Sequence, residues 1–314
     1  MSPTPSQDND RALRQFVPTL HTDVYDTIDP SKTKITQPFT AVILGGSGAV
    51  GSGLARAYAR AGATGIVLAA RRLSLIEAVA DEAKAISPSI QTLAMQCDVS
   101  SASDIAAVAT ATRTRFGATV GIVVVNAGYS GHIVPDIAQE SVENFQNAFS
   151  INTMASAYAA QSFIPILNES AAANTTSQKR LFLAVSSMSA PTVSGPVAHI
   201  HYCASKFAQV RVIEMLKEQQ HAANGDDSIF FASLHPGGVK SDFARQSNIP
   251  ESFLPFMTES PDLAGAFCVW LTQNQSRIQG LSGRFLSVKW DVDELLGKMD
   301  EIVDKDLLRA RFAV

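Results

Sequence analysis

Short apolar runs alternate with longer segments of helical pattern through most of this sequence, and that alternation strongly constrains its fold. Runs this short, bounded by glycine or polar residues, are typical of strands buried on both faces, which need helical crossovers to lie parallel. We therefore predict an α/β protein with a single doubly wound parallel sheet and helices on both faces. The predicted strands are Thr40–Gly45, Gly65–Ala70, Thr92–Cys97, Gly121–Asn126, Leu181–Ser186, Ile229–Leu234 and Gly283–Val288.

Helical patterns separate these strands. A polar interruption at Asn168–Lys179 predicts a surface loop, because it contains no periodic apolar residues. The predicted helices are Gly53–Ala61, Leu73–Ile86, Ser101–Phe116, Phe145–Leu167, Tyr202–Gln220 and Pro261–Thr272.

The length of 314 residues allows either two domains or one large α/β domain, since domains average roughly 150 residues. We find no internal repeat, and the alternation runs without a break from residue 40 to residue 288. We predict one dinucleotide-binding catalytic domain at 40–288. It follows a polar arm at 1–39 and precedes a C-terminal extension at 289–314.

Composition excludes several classes of protein. The chain is 46% hydrophobic and 17% charged, as expected of a folded protein with a large core, and its net charge of −4 argues against a nucleic-acid partner. No apolar run approaches the roughly 18 residues of a membrane helix, and the first residues lack the apolar core of a secretory signal. The three cysteines are too widely spaced to indicate a disulfide framework or a zinc site. We expect a cytoplasmic protein without a metal.

A glycine-rich turn joins the first strand to the first helix, in the segment Gly45-Gly-Ser-Gly-Ala-Val-Gly51. Glycines at this point of a βαβ unit let the backbone approach a pyrophosphate, which then lies on the amides of the helix N-terminus. The turn predicts a dinucleotide site of Rossmann type. Two registers fit: Gly46, Gly48 and Gly51, or Gly45 and Gly51 with Ala49 in the place of the middle glycine.

The second strand ends at Arg71-Arg72, about where an acidic residue would bind the ribose 2′-hydroxyl of NAD. Guanidinium groups suit a 2′-phosphate instead, so the pair favours NADP, unless it only begins a surface helix. Asp98 follows the third strand and is a candidate either for the adenine amino group or for capping the next helix. Asn126-Ala-Gly128 ends the fourth strand at the sheet edge where ligands bind in such folds.

Tyr202 and Lys206 are four residues apart in a predicted helix, so their side chains share a face. An ordinary tyrosine has a pKa of about 10, and a nearby ammonium group lowers the pKa of a phenol. The pair is therefore a candidate proton-transfer unit.

With these residues in place, the sequence resembles the short-chain dehydrogenase/reductase family over about residues 38–290. The resemblance rests on the glycine-rich turn, Asn126-Ala-Gly128, Asn152, Ser186-Ser187, Tyr202-x-x-x-Lys206 and His235-Pro-Gly237.

The resemblance implies a mechanism and the register that contains Gly45, Ala49 and Gly51. A nicotinamide delivers hydride to a carbonyl carbon while Tyr202 donates the proton. Lys206 binds the nicotinamide ribose and lowers the tyrosine pKa, a serine holds the substrate oxygen, and Asn152 holds a water in a proton relay.

We predict Ser187, Tyr202, Lys206 and Asn152 as catalytic residues, and no metal ligand. The predicted cofactor-binding residues are Gly45, Ser47, Gly48, Val50, Gly51, Arg71, Arg72, Asp98, Val99, Asn126, Gly128, Tyr202, Lys206, Pro236, Gly237, Val239 and Ser241.

The serine has two candidates. Ser189 matches the family's usual spacing to the tyrosine, whereas Ser187 matches the motif as the second serine after the strand. We prefer Ser187, because strand ends are better anchors than loop lengths. His199 and His201 precede the tyrosine and are open to either pocket-lining or structural roles.

The segment after Pro236-Gly237, at about 240–258, corresponds to a mobile lid over the substrate in the family. Its aromatic and aliphatic residues suggest a bulky apolar substrate, or else ordinary helix packing. Short segments near Tyr25 and Trp290 resemble a filamentous-fungal branch that often serves secondary metabolism.

We therefore expect an NADPH-dependent reductase of a carbonyl or imine. The alternatives are a cyclisation, isomerisation or elimination at the same site, or a non-catalytic nucleotide sensor. We expect a small-molecule substrate and, by analogy with the family, a homodimer or homotetramer formed through the helices that carry Asn152 and Tyr202.

Overall fold

Parallel strands form one seven-stranded sheet in the computed structural model, which describes residues 11–35, 37–134, 136–173, 180–195, 198–225, 228–249 and 251–312. Their order in the sheet is β3-β2-β1-β4-β5-β6-β7. This order confirms the predicted doubly wound α/β fold, with a crevice where the connections diverge between β1 and β4. The strands are β1 (Thr40–Leu44), β2 (Gly65–Ala70), β3 (Gln91–Gln96), β4 (Val120–Val125), β5 (Arg180–Val185), β6 (Ile229–His235) and β7 (Arg284–Ser287).

Helices cover both faces of the sheet. Along β1, Ala41 and Ile43 point into one apolar core while Val42 and Leu44 point into the other. This two-sided burial explains why the strand is apolar at every position instead of alternating. The helices are α1 (Ala49–Arg60), α2 (Leu73–Ile86), α3 (Ala102–Phe116), α4 (Val142–Ala148), α5 (Ala155–Ala173), α6 (Ile200–Asn224), α7 (Asp242–Gln246), α8 (Pro261–Gln273), α9 (Val292–Gly297) and α10 (Met299–Asp304).

The helix predicted at Phe145–Leu167 is divided in the structure. A π-helical turn at Phe149–Met154 separates α4 from α5. The predicted surface loop is wrong for residues 168–173, because α5 continues to Ala173; residues 174–179 lie outside the described part of the chain. The last turns of α5 keep polar partners: the Ser170 hydroxyl donates to the carbonyl of Ala118 at 2.6 Å and accepts from Arg180 Nε at 3.0 Å.

The predicted N-terminal arm and C-terminal extension pack against each other. Leu20 and Trp290 form an antiparallel bridge, and the backbone N–H of His21 donates to the carbonyl of Lys289 at 2.7 Å. Val17 and Trp290 are fully buried in the same apolar core as α1. Residues 1–10 of the predicted arm and 313–314 of the predicted extension lie outside the described residues.

Within the described ranges, no helix is long and apolar enough to cross a membrane. The three cysteines, all within the described ranges, are buried and form no disulfide. The described part of the chain contains no group of three or more His, Cys, Asp or Glu side chains that could hold a metal ion.

Candidate active site

A cavity of about 1040 Å³ opens at the carboxyl edge of the sheet. Two of the predicted site residues, Gly51 and Asn152, lie outside its lining. The others line it together: Gly45, Ser47, Gly48, Val50, Arg71, Arg72, Asp98, Val99, Asn126, Gly128, Ser187, Tyr202, Lys206, Pro236, Gly237, Val239 and Ser241.

The turn after β1 lies against the end of β4. Gly45 has φ +98°, and a Cβ there would lie 2.6 Å from the Cα of Ala127, so both conformation and space require glycine. The Asn126 side chain donates from Nδ2 to the Gly45 carbonyl at 2.7 Å. The Gly45 N–H donates to the carbonyl of Ala69 at 2.7 Å. The turn is thus tied to both neighbouring strands.

Steric contacts differ among the glycines of the turn. A Cβ on Gly51, which belongs to both registers, would collide with the carbonyl oxygen of Gly45 and lie 2.9 Å from the Cα of Gly46. A Cβ on Gly46 would lie 2.7 Å from Leu68 Cδ2, and one on Gly48 would meet nothing within 4 Å. The close backbone packing joins Gly45 to Gly51, and the register that binds a pyrophosphate stays a prediction.

The N-terminus of α1 fits a pyrophosphate. Its first residue is Ala49, and its N-cap, Gly48, supplies no side-chain hydrogen bond to the first-turn amides. Those N–H groups lie at the cavity and are available to phosphate oxygens. The Ala49 methyl lines the same cavity.

The end of β2 presents two cations. Arg71 and Arg72 are exposed and line the cavity, and neither guanidinium has an ion-pair partner among the described residues. Asp98 also lines the cavity, but it is not the cap of α3, because Ser101 is the N-cap. One carboxylate oxygen of Asp98 accepts from the N–H and the hydroxyl of Ser100, at 2.9 and 2.7 Å.

Tyr202 lies in the first turn of α6 with only 7% of its surface exposed. Its phenol is hydrogen-bonded to the side chain of Ser187. Ser189 lines the cavity too, but its contact with this group runs through its backbone N–H, which donates to the Ser187 hydroxyl at 3.1 Å. The geometry therefore joins Ser187 to the tyrosine, the serine that we preferred from the sequence.

Lys206 lies one helical turn beyond Tyr202 and is 2% exposed. Its Nζ donates to the Val185 carbonyl at 2.7 Å and to Gln209 Oε1 at 3.2 Å. Both acceptors are neutral, so burial of this amine is not compensated by a carboxylate.

Burial shifts the pKa values of both Tyr202 and Lys206 so that each side chain favours its neutral form. It raises the pKa of Tyr202 to about 12, although the hydrogen bond from Ser187 opposes the shift. It lowers the pKa of Lys206 to about 7, because a charged amine is poorly solvated there. Lys206 is not among the groups that shift the Tyr202 pKa. The lowering of the tyrosine pKa by Lys206, which the resemblance implies, stays a prediction.

The sequence of this chain matches a family model described as short chain dehydrogenase over residues 39–252. The chain belongs to the short-chain dehydrogenase family. It is thus related to oxidoreductases that use a nicotinamide cofactor, NAD or NADP.

Several fungal proteins of the family are similar over nearly their whole length. Short chain dehydrogenase mpl6 of Monascus purpureus is 30% identical over 303 residues, covering 95% of this chain and 97% of the relative. Short chain dehydrogenase pgmD of Aspergillus terreus is 26% identical over 307 residues, covering 95% and 94%. The matches extend well beyond the family model, into both terminal segments.

Solved structures share the fold. A 7α-hydroxysteroid dehydrogenase complexed with NADH and 7-oxo glycochenodeoxycholic acid has a TM-score of 0.68 at 20% identity, covering 85% of this chain and 97% of the other. The NADPH-dependent 3-quinuclidinone reductase of Rhodotorula rubra has a TM-score of 0.68 at 19% identity, covering 86% and 96%.

In this short-chain dehydrogenase, Asn152 is fully buried in the π-helical turn. Its Oδ1 accepts from the Tyr129 N–H at 2.8 Å, and its Nδ2 donates to the Tyr129 carbonyl at 2.8 Å and to Ser205 Oγ at 2.9 Å. The side chain thus joins the segment after β4 to α6. Its predicted role in holding a relay water stays a prediction.

The two histidines before the tyrosine have different positions. His199 lines the cavity and is stacked on the Tyr202 ring, with centroids 4.9 Å apart and planes at 7°. His201 is fully buried, and its ring nitrogens lie 2.6 Å from a Glu140 carboxylate oxygen and 2.6 Å from the Ser130 carbonyl. One histidine therefore faces the pocket and the other is structural.

Glu259 supports the turn after β6, a role that was not predicted from the sequence. Its Oε2 accepts from the Gly238 N–H at 2.7 Å, and its Oε1 pairs with Lys289 Nζ at 2.6 Å. A Cβ on Gly237, which has φ +88°, would lie 2.7 Å from the Glu259 side chain. A lone glutamate at the end of the lid segment has no local pattern that distinguishes it from a surface residue, so only the tertiary contact identifies it.

The lid segment at 240–258 borders the cavity with residues 240–247, 249, 256 and 257. Ser241 caps α7 through its hydroxyl, which accepts from the Ala244 N–H at 3.3 Å. Phe256 is 72% exposed, so part of the apolar surface of the segment is uncovered. Pro250 and the side chain of Phe253, both within the predicted lid, lie outside the described residues.

The lowered pKa of Lys206 predicts a pH dependence of stability. Between the folded pKa of about 7 and the ordinary value of 10.5, the unfolded chain binds more protons, so the free energy of unfolding rises with pH. Relative to Lys206→Met, we expect the wild-type value to increase by roughly 1 kcal/mol per pH unit from pH 7 to 9. Urea titrations at several pH values, with the exposed Lys84→Met as the control, measure this difference. Parallel pH curves for wild type and Lys206→Met would contradict it.

Proposed function

We propose that this short-chain dehydrogenase reduces a carbonyl or imine in a bulky, largely apolar metabolite, with NADPH as the cofactor and Tyr202 as the general acid. The observation that carries the proposal is the hydrogen bond between the half-buried Ser187 and the buried Tyr202. This pair lies one helical turn from Lys206, at the wall of the cavity that also contains the glycine turn. Proton donor and cofactor site thus share one cavity.

Proton transfer in this mechanism uses the phenol. The bound cofactor supplies a hydride for the carbonyl carbon. The Tyr202 hydroxyl donates its proton to the oxygen, and a pKa of about 12 keeps that hydroxyl protonated at neutral pH. Ser187 is the second donor to the substrate oxygen: its single hydroxyl hydrogen, bonded to the phenol in the free protein, turns to that oxygen when the substrate binds. Lys206 lies close to the end of β4, because a Cβ built on Gly128 would be 3.6 Å from the Lys206 Nζ.

The chain's own residues fit NADP. The glycine turn and the uncapped start of α1 would hold the pyrophosphate, and Asp98 with Val99 would border the adenine. Arg71 and Arg72 would bind the 2′-phosphate, since both are cavity-lining cations without carboxylate partners among the described residues.

The cavity supports a bulky apolar substrate. Its far side is lined by aliphatic, aromatic and thioether side chains, contributed partly by the lid segment. The alignments with two fungal relatives span 94% and 97% of those chains. This likeness to fungal enzymes supports a place in fungal secondary metabolism, which is part of the same proposal. The predicted cytoplasmic location belongs to the same proposal, and cell fractionation would test it.

A homodimer or homotetramer is also part of this proposal. Met154 in the π-helical turn is 41% exposed, and on α6 Phe207 is 42% and Met215 54% exposed. These apolar side chains lie on the two neighbouring helical elements that carry Asn152 and Tyr202, where the family precedent expects the contact between subunits.

The acid role of Tyr202 predicts that Tyr202→Phe lowers kcat/KM by about 10² to 10⁴, because the ring stays in place and only the proton donor is lost. Turnover of 1-phenyl-1-butanone with NADPH, together with the Kd for NADPH, measures this effect. The Kd should not change. Tyr158→Phe, a tyrosine of α5 outside the cavity lining, is the control.

An unchanged kcat/KM in Tyr202→Phe would overturn the assignment. Product formed without oxidation of an equal amount of NADPH would instead favour isomerisation, cyclisation or elimination.

The arginine pair predicts the cofactor preference. Arg71→Gln and Arg72→Gln should each raise the Kd for NADPH roughly tenfold, since each removes a charge-assisted hydrogen bond, and should leave the Kd for NADH nearly unchanged. Fluorescence titration with both cofactors measures this. Arg113→Gln, on the far surface of α3 and paired with Glu169, is the control. Equal losses for NADPH and NADH would contradict a 2′-phosphate site.

The proposed interface predicts that Phe207→Glu shifts the protein toward monomer, because a buried carboxylate has no cationic partner in an apolar contact. Sedimentation velocity over a range of concentrations measures the shift. Val303→Glu, equally exposed on α10 at 47%, should leave the assembly intact. A wild-type protein that is monomeric throughout would refute the proposal.

A further inference from the structure

Two buried polar side chains form part of the cavity wall next to the tyrosine. Ser130 is 7% exposed and His199 is 4% exposed, and both line the cavity. The Ser130 hydroxyl lies 3.2 Å from His199 Nε2. Neither residue has a role in the mechanism above.

The position of His199 sets the distance of this pair from the reacting group. Its ring is stacked on the Tyr202 ring at 4.9 Å, nearly parallel. His199 therefore lies directly beside the ring of the phenol that would protonate the substrate. A substrate large enough to extend past the reacting carbonyl would reach the pair.

A buried hydrogen-bonded pair, His201 and Glu140, holds this wall in place. His201 Nε2 faces the Ser130 carbonyl, which can only accept, so this nitrogen carries a hydrogen. Nδ1 lies 2.6 Å from a Glu140 carboxylate oxygen, with 0% and 1% of the two side chains exposed. Burial raises the pKa of Glu140, but hydrogen bonds from Asn144 and His201 outweigh it and lower the pKa overall. His201 thus connects the Ser130 backbone to Glu140.

Next to His201, only glycine fits at position 131. Gly131 has φ +65°, and a Cβ there would lie 2.6 Å from His201 Nε2. Glu140 is in turn bonded to Asn144, whose Oδ1 accepts from the Tyr129 hydroxyl at 2.5 Å. The segment that carries Ser130 is therefore anchored on both sides, so the hydroxyl has a defined position.

The Ser130 hydroxyl, in a residue that lines the cavity, keeps further hydrogen-bonding capacity. A serine hydroxyl has one donor and two acceptor sites, and the bond to His199 uses only one of them, whichever atom donates. The cavity that the pair lines also contains the apolar side chains of Ile133, Ile151 and Met188. A purely apolar substrate would cover this hydroxyl and leave it without water, which costs free energy.

We propose that Ser130 and His199 form a second oxygen-binding subsite, so that the substrate is a hydroxy ketone or a dicarbonyl compound instead of a simple apolar ketone. This inference rests on the proposed function and specifies its substrate class. His201 and Glu140 are positioning residues for the subsite, since they act through Ser130.

Paired probes test the subsite. 3-Hydroxy-1-phenyl-1-butanone and 1-phenyl-1-butanone differ by one hydroxyl on the chain beside the carbonyl. For each, calorimetry on the protein loaded with NADP⁺ measures the Kd, and turnover with NADPH measures kcat/KM. We expect the wild type to bind the hydroxy ketone at least tenfold more tightly, because a site built for an oxygen discriminates against its absence.

Variants test whether the preference for the hydroxy ketone depends on Ser130 and His199. Ser130→Ala and His199→Phe, which keeps a ring on Tyr202, should each reduce the binding ratio of the two probes severalfold or more. Glu140→Gln should reduce it as well, through a loosened Ser130. His132→Phe is the matched control: this exposed histidine belongs to the same segment but does not line the cavity. The ratio of the two Kd values does not change if a variant merely contains less folded protein, because both probes are measured on the same preparation.

The two proposals fail differently. Preferential binding of the hydroxy ketone without turnover of either probe supports the subsite and contradicts carbonyl reduction. Turnover with equal binding of both probes overturns the subsite and leaves the reductase standing, and so does a preference that Ser130→Ala and His199→Phe leave unchanged. Equal binding that is too weak to measure also counts against the subsite.

Discussion

The rest of the site depends on the close approach of the glycine turn after β1 to the end of β4. At Gly45 and Gly51 no side chain fits, and the Asn126 amide bonds the Gly45 carbonyl across the two strands. This contact sets the start of α1 at the sheet edge, with its first amides directed at the cavity. Without it, the residues at the ends of the other strands would have no cofactor site to complete.

Burial governs the chemistry of the neighbouring residues. Tyr202 and Lys206 are buried near the ends of β4 and β5 and have little contact with solvent. Desolvation therefore shifts the pKa of each side chain so that the neutral form is favoured. A neutral phenol suits a proton donor in the reductive direction. His235 at the end of β6 follows the same rule: burial lowers its pKa to about 3, so its Nδ1 accepts from the Met188 N–H at 3.2 Å and supports the turn that carries Ser187.

The terminal segments extend the core beyond the part matched by the family model. The N-terminal segment crosses the C-terminal one at Leu20 and Trp290, and the Ser260 N–H donates to the Thr22 carbonyl at 2.7 Å. Lys289 reaches Glu259 below the turn after β6. Segments far apart in the chain thereby support the base of the lid segment. The sequences of the two terminal segments gave little sign of this packing. Their few buried residues, such as Val17 and Ile28, follow neither a helical nor a strand period.

The sequence by itself determined the parallel sheet, the succession of strands and helices along the chain, the glycine turn and the tyrosine–lysine spacing. Local periodicity and backbone constraints depend on neighbouring residues, so the sequence shows them directly. The spatial order of the strands came from the structure. Tertiary structure decided what depends on distant partners. It joined Ser187 to Tyr202, used the Asn152 side chain to connect the segment after β4 to α6, and brought Glu259 and the His201–Glu140 pair to the site. It also set the direction of the tyrosine pKa, since desolvation depends on how many atoms surround a group, and spacing along the chain does not measure that.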